Sequence, residues 1–427
     1  QQTRFLPGRI RRGKRSTKSE FLIKMWELIR ANKRNSIILM VLMAAVLLLL
    51  GYIIGTAFAG PQAGFTGVII ATAIWFLLCL VSFAGGDRIL LSASNAVEVN
   101  HDNQPQLLNI VEEMKVAAGL PKMPRVYIIP DPAPNAFATG RSPQTASVAV
   151  TAGLLGRLNR DELQGVIAHE MSHILHRDIL FVTLAGIMLG SIVLISQVYL
   201  RSMFYGGGRR RYSSGKNSQA AVLMLIIAIL AAILAPIMAQ LLYFALSRKR
   251  EYLADAGAAR LTRYPEGLAN ALEKIANDPS PQLAAANKVT APMFIVNPFK
   301  KGLQLADLTS THPPISERIR ILRNMAGGVS FKNYSDAYTN VTHKKTVVPA
   351  AALTKEDIAL RQASAEAKEE QLGKQMRQTG DIMRMVNGFV FLTCACGLKL
   401  KVPPNYKSDK VACPRCHNTI ALPAKQK

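Results

Sequence analysis

The sequence predicts a mainly α membrane protein with four hydrophobic helices, a helix that carries a metal-ligand motif and a small cysteine-held module at its C-terminus. Three observations predict this. Four stretches, residues 36–58, 65–83, 179–200 and 220–246, run without a charge, and about 20 apolar residues are what a helix needs to cross a bilayer. A His-Glu-x-x-His pattern, His169 to His173, stands between the second stretch and the third. Four of the five cysteines fall in one C-terminal cluster, which is not the layout of a secreted disulfide framework.

The chain has 427 residues, enough for two or three folding units, and 49 % of them are apolar, more than a soluble domain usually carries. Against this stands a formal net charge of +25. In a membrane protein such an excess belongs on the cytoplasmic side, where it sets topology and meets anionic lipid. Nucleic-acid binding is the rival reading of a basic chain and is not expected here, because the charge before residue 36 (Arg9, Arg11, Arg12, Lys14, Arg15 and Lys18 among it) is explained by topology. Residue 1 is Gln rather than Met, so a targeting segment upstream stays open.

Taken in order, residues 1–34 read as a basic cytoplasmic segment and 35–84 as a transmembrane hairpin turned around Gly60 and Pro61. Cys79 lies within that hairpin and reads as a packing residue. Residues 179–246 form a second hairpin, with Pro236 expected to kink its last helix and Gln197 and Gln240 expected on faces turned toward protein. A cytoplasmic N-terminus then returns 87–177, and again everything after 247, to the cytoplasm. The Arg209, Arg210, Arg211 and Lys216 loop disagrees, and a second pair that dips in without crossing would accommodate it. Either way Asp178 and Ser247 share a side.

Residues 154–178 read as one helix, capped at Asn159 with Glu162 three residues on in capping-box fashion. On it, His169 and His173 fall one turn apart on one face, with Glu170 between them. That geometry suits a zinc ion held by two neutral nitrogens, with a carboxylate placed to work on water. The bland alternative is a surface helix with two solvated histidines. A catalytic zinc wants a third protein ligand. The second hairpin would return Glu251 beside this helix, and Asp255, four residues on and on the same face, can accept a hydrogen bond from a ligand histidine, with His169 the expected donor. The alternative for that pair is an ordinary charged turn beside the membrane.

HExxHILHRD, then SRKREYLADAGAARL (247–261), then THPPISERI (311–319), with paired hydrophobic segments between, resemble the HtpX-type membrane zinc metalloproteases. These are relatives of the CAAX prenyl proteases in the glutamate-zincin group, and the resemblance spans roughly residues 39–325. It implies a zincin-like α+β metalloprotease domain over 85–330, including the second hairpin. The segment Asn135-Ala136-Phe137-Ala138 is similar to the family's edge strand, which pairs with extended substrate by β-augmentation; by residues alone, 132–140 is a turn-rich loop. The resemblance also implies that Asn135, His312 and Arg318 lie around the metal, although a lone His before Pro-Pro is otherwise a helix-start residue. His101, His176 and His343 read as surface or structural. The expected reaction is peptide-bond hydrolysis, with Glu170 acting as base and then acid, and His312 or Arg318 facing the oxyanion.

Residues 326–350 show no clear periodicity, and 331–388 read as a linker with a polar helix over 354–385. Within 389–427, Cys394 and Cys396, then Cys413 and Cys416 about 16 residues later, fit a zinc ribbon, although the first pair is CxC rather than CxxC. Four thiolates would close a structural zinc site with no open position; a redox pair or unligated thiols are the alternatives, and His417 is a spare ligand at best. With Lys399, Lys401, Lys407, Lys410 and Arg415 nearby, the ribbon suits a protein partner, lipid head groups or RNA. The overall expectation is a multi-pass protein of the cytoplasmic membrane with one catalytic and one structural Zn2+. Its site would face the cytoplasm and cleave membrane or misfolded proteins in quality control. A catalytically silent scaffold that recruits partners through the ribbon is the alternative from another class, and a prenyl-protein-type protease the rival within the enzymes.

Overall fold

The computed structural model of the chain describes residues 16–101, 103–205, 218–279, 295, 312–325, 327–353, 358–364, 380–381, 384, 389–406 and 408–422. The loop with Arg209 to Lys216, the basic residues before Ser16 and most of the expected polar helix over 354–385 lie outside these.

Helices α1 (Ser16–Ala59) and α2 (Gly64–Ala93) form the first hairpin, and α2 bends at Gly85 as it leaves its apolar stretch. Next come β1 (Val97–Glu98), α3 (Pro105–Ala118), β2 (Arg125–Ile129), β3 (Ala136–Thr139) and β4 (Ser147–Thr151). Then follow α4 (Ala152–Leu155), α5 (Arg160–Leu175), α6 (Asp178–Tyr205), α7 (Ser218–Thr262) and α8 (Pro265–Ala276). After them stand α9 (Ile315–Arg323) and α10 (Phe331–Thr342), and the chain closes on two hairpins, β5 (Val390–Thr393) with β6 (Lys399–Val402) and β7 (Lys410–Ala412) with β8 (Thr419–Ala421).

Four of the described helical spans are long and apolar enough to cross a membrane: Lys33–Ala59, Pro61–Gly85, Asp178–Met203 and Val222–Thr262. They match the four stretches expected from the sequence, with Pro236 inside a 45-residue helix. Inward they bury Met43, Leu47, Ala185, Ile192, Tyr199, Ala228 and Ala232 against one another. Outward they leave Val41, Phe65 and Ile69 more than 60 % exposed, the kind of surface that lipid covers. Gln197 and Gln240 are exposed rather than turned inward. The buried positions beside them are Ser196, Tyr199 and Ala239, and one residue along a helix turns the side chain by about 100°.

The soluble part is α+β. Its sheet runs β1-β2-β4-β3, with β2 and β4 parallel and the outer pairs antiparallel, so β3 is an edge. Helices α3, α5, α8, α9 and α10 pack their apolar faces into one core with it, through Leu107, Val166, Ile167, Leu268, Ile321 and Tyr334 among others.

The segment 154–178 is not one helix. Thr151 caps α4 by accepting from the Leu154 N–H, and Asn159 with Glu162 forms a complete capping box that starts α5. Two caps within nine residues impose a break between them. A second break falls at Arg177, whose φ of 57° is left-handed and ends α5 before Asp178 opens α6. Residues 326–350 also hold a helix that periodicity did not suggest. Ser330 and Asn333 cap α10 reciprocally, and it buries Phe331, Tyr334, Ala337 and Tyr338.

Candidate metal centre

Helix α5 brings His169 and His173 to the inside of the domain because its polar motif lies within an otherwise apolar face: Val166, Ile167, Ala168, Met171 and Ile174 are all buried. Helix α7 supplies the opposite wall and runs without interruption from the membrane span through Glu251 and Asp255. The two helices approach closely at Gly257, where a Cβ would collide with Ser172 Oγ.

Two imidazole nitrogens and one carboxylate converge. The Nε2 atoms of His169 and His173 face each other at 3.2 Å. Glu251 Oε2 is 3.6 Å from His169 Nε2, and its Oε1 is 3.5 Å from His173 Nε2. A tetrahedral zinc with bonds of about 2.0–2.1 Å separates its ligand atoms by about 3.3–3.4 Å, so the triangle fits that ion. Glu170 is 1 % exposed and its Oε1 has no hydrogen-bond partner. Such a buried acceptor is costly unless something else occupies it.

The electrostatics favour a cation. Burial works against charge on His169, but Asp255 and Glu251 outweigh it and raise its pKa. For His173 burial is likewise outweighed, by Asp178 and Glu251, which push the pKa up to about 10. Burial raises the Glu170 carboxyl above its usual range, against the nearby imidazoles and the Ala138 N–H that points at it. A pocket that holds protons this tightly has the negative potential a divalent metal would use.

Around the triangle, His169 Nδ1 sits 3.0 Å from Asp255 Oδ1, off the line of an ideal hydrogen bond. Arg318 forks onto Asp255 at 2.8 and 2.7 Å, gives Nη1 to the Ile295 carbonyl at 3.0 Å, and lies 3.2 Å from Glu251 Oε2. His312 is buried and acts on the charge of Glu251. Asn135 lies at the head of the edge strand: its backbone pairs with Thr151, and its Oδ1 accepts the Ala136 N–H at 3.0 Å.

Along β3 the register matters. Ladder bonds at Asn135 and Thr151 leave Ala136 and Ala138 with their N–H and C=O groups facing outward. The Ala136 carbonyl accepts from Ile295, and the Ala138 N–H faces Glu170. The edge strand therefore passes directly beside the triangle.

Sequence reasoning missed Asp178, Arg250 and Ile295. Asp178 Oδ2 lies 3.2 Å from His173 Nδ1. Its spacing of five residues from His173 signals nothing on a regular helix, because the break at Arg177 creates the contact.

At the C-terminus each cysteine pair sits in a hairpin turn, with Gly397 and His417 at positive φ. Cys394 and Cys416 approach at 3.3 Å and Cys396 and Cys413 at 3.7 Å, against the roughly 3.8 Å edge of a zinc–thiolate tetrahedron. The amide N–H groups of Cys416 and Arg415 pull the Cys413 thiol down to about 6, against the effect of burial. His417 is exposed and its backbone N–H bonds to Cys413 O.

Residues 101–326 match Peptidase family M48. The chain is 46 % identical over 300 residues to a "Protease HtpX homolog" of Dictyoglomus thermophilum, covering 70 % of this chain and 94 % of that one. It is 45 % identical over 302 residues to the protein of that name from Caldanaerobacter subterraneus subsp. tengcongensis, covering 70 % and 98 %. With the Ligilactobacillus salivarius protein of the same name it shares 43 % over 301 residues, covering 70 % and 100 %. No solved structure matches the chain. The residues beyond about 326, ribbon included, thus fall outside the matched family region. With four apolar helices of membrane-crossing length and relatives covered almost end to end, the chain belongs to Peptidase family M48, among its HtpX-type membrane metalloproteases.

Proposed function

We propose that the chain is a zinc endopeptidase that cuts membrane or misfolded proteins at the cytoplasmic face of the cell membrane, in quality control. The observation that carries the reading is the convergence of His169, His173 and Glu251 to within 3.6 Å of one another beside Glu170, whose buried Oε1 has no hydrogen-bond partner. His169, His173 and Glu251 would hold the ion, and Cys394, Cys396, Cys413 and Cys416 would hold a second, structural one. Zinc, when bound at the first site, supplies Lewis acidity that makes water acidic near neutral pH and polarises a carbonyl.

The chain's own residues do the rest. An extended substrate pairs with β3 through the outward Ala138 carbonyl, and through the Ala136 carbonyl once it displaces the Ile295 N–H, which lays a peptide bond across the centre. Glu170, its pKa raised by burial, takes a proton from the attacking water and passes it to the leaving amine. His312 donates toward the oxyanion. Arg318 serves differently: its donors are committed to Asp255 and Ile295, so it holds Asp255 against His169 and screens Glu251. The site adjoins α6 and α7 where they leave the membrane, which supports membrane proteins and their exposed ends as substrates. The basic N-terminal segment supports the cytoplasmic orientation.

The test compares the full-length protein in detergent with its Glu170→Gln variant, measuring zinc content and cleavage of casein. Both proteins should carry about two zinc ions per chain, the sum of a three-ligand and a four-thiolate site. Only the parent should cleave, with the variant slower by at least about 10²–10⁴-fold. Equal cleavage by the two proteins would sink the assignment of Glu170. A single zinc that disappears with the cysteines would sink the histidine site.

A further inference from the structure

Each histidine of the triangle turns its far ring nitrogen to a buried carboxylate, and each carboxylate meets a buried arginine. For His169 these are Asp255 and Arg318. For His173 they are Asp178 and Arg250, which the mechanism above does not use. Arg250 donates Nη1 to the Asp178 carbonyl at 2.9 Å, and its Nε lies 3.8 Å from Asp178 Oδ1. Its Nη2 donates to the hydroxyl of Ser36, at the head of the first membrane span, and its guanidinium carbon stands 5.7 Å over the Phe181 ring. Ser36, Asp178 and Arg250 are all at most 2 % exposed.

A buried ion pair is no stabilising device by itself, since apolar residues of similar volume serve as well or better. Its placement here is informative. Asp178 opens α6, Arg250 lies on α7 immediately before Glu251, and Ser36 lies on α1, so one side chain joins three membrane helices at the point where two of the three ligand residues stand. We propose that Asp178 and Arg250 are positioning residues of the metal centre. They fix the His173 ring with Nδ1–H toward Asp178 and the Nε2 lone pair toward the metal, and they anchor that ring to the first membrane helix through Ser36. Carboxylates behind ligand histidines orient the ring and strengthen it as a donor, and losing one costs about 10–100-fold in metal affinity.

The proposal rests on the ligand set assigned under the proposed function, so its test includes His173→Ala. Full-length protein in detergent is loaded with Zn2+ and titrated with a chelator, and the zinc retained per chain is measured. The difference between parent and His173→Ala defines the zinc of the histidine site, while the cysteine-held zinc is common to both. The near-isosteric Asp178→Asn should lose the histidine-site zinc at a chelator strength about 10–100-fold lower than the parent. Asp178→Glu, which keeps the charge, should recover most of that loss. Ser36→Ala should shift retention the same way by about 2–10-fold, the factor of one hydrogen bond. Unchanged retention in a folded Asp178→Asn, beside a loss in His173→Ala, overturns the proposal. Equal retention in the parent and His173→Ala overturns the ligand assignment instead. If Asp178→Asn fails to fold by circular dichroism, Ser36→Ala decides by the same comparison.

Discussion

His312 and Arg318 stand six residues apart around one start of helix, yet their surroundings differ, and the proposed mechanism gives them different work. Arg318 is fully buried and bridged to Asp255, and its neighbouring carboxylates raise its pKa against the effect of burial, so it stays charged and fixed. His312 is buried at 3 % and acts on the charge of Glu251, and in the proposed mechanism its ring N–H donates toward the oxyanion. Removing such a donor costs about 10²–10³-fold in kcat without touching the ground state. His312→Ala should therefore lower kcat on casein by that factor and leave KM and zinc content unchanged. Arg318→Lys should do the reverse in kind. It cannot fork onto Asp255, so the histidine-site zinc should be lost at lower chelator strength. Steady-state kinetics with zinc measurement on the same samples decides, and a His312→Ala protein that has lost its zinc would remove the oxyanion role.

At the scale of elements, α5 is held at its first turn as tightly as at its motif. Gly165 lets α8 come close, for a Cβ there would lie 2.7 Å from the Leu268 nitrogen. At its N-terminus, Asp161 accepts from the Ser364 N–H at 2.8 Å, from the Ser364 hydroxyl at 2.7 Å and from Arg361 at 2.8 Å. Arg361 also donates to Gln164 and lies over the Tyr264 ring. Burial raises the Asp161 carboxyl, but the Ser364 N–H, Arg361 and the Ser364 hydroxyl outweigh it and hold it below its ordinary 3.8. A carboxyl depressed in the folded state contributes stability that is full above the unfolded pKa and lost as pH falls through the folded one. Arg361→Ala should thus destabilise the protein by about 1–3 kcal/mol, by a constant amount between pH 5 and 8, with the gap to the parent closing below about pH 4. Unfolding temperatures in detergent at pH 6 and pH 3.5 check this, and an equal gap at both would rule the clasp out as the cause. The contrast shows what a sequence can carry. The Asn159–Glu162 box, the four apolar spans and the motif spacing are local patterns, each written within one continuous stretch of chain. The clasp joins residues 200 positions apart. Asp178 reaches His173 only because a left-handed Arg177 breaks the helix, and Arg250 reaches Ser36 across 214 positions. Such contacts follow from packing and leave no periodic trace. Helix α10 is the exception, since Phe331, Tyr334 and Tyr338 with the Ser330–Asn333 cap were there to be read.

For the molecule as a whole, buried contacts run on past the matched family region. The family match ends at residue 326, but Phe331, Tyr334, Ala337, Tyr338, Val348 and Ala352 belong to the same buried core as Val166 and Ile167 of the motif helix. Residues 358–364 then close on Asp161 and on the Val329 N–H. The buried core that holds the motif helix therefore continues through residue 352, and residues 358–364 bind onto it. The ribbon's apolar cluster is made of its own residues, Leu392, Leu400, Val411 and Ile420 with the cysteines. Burying Phe331, Tyr334, Tyr338 and Val348 is worth about 2 kcal/mol each, which together approaches the net stability of about 5–15 kcal/mol of an entire domain. A chain cut after residue 330 should consequently fail to yield folded protein. A chain cut after residue 379 should fold, keep one zinc ion and cleave casein at the parent's rate. Expression, zinc content and activity of the two truncations check this. A cut after residue 330 that keeps full activity would show that α10 is an accessory, whereas loss of activity in the folded longer chain would make the ribbon part of the working enzyme.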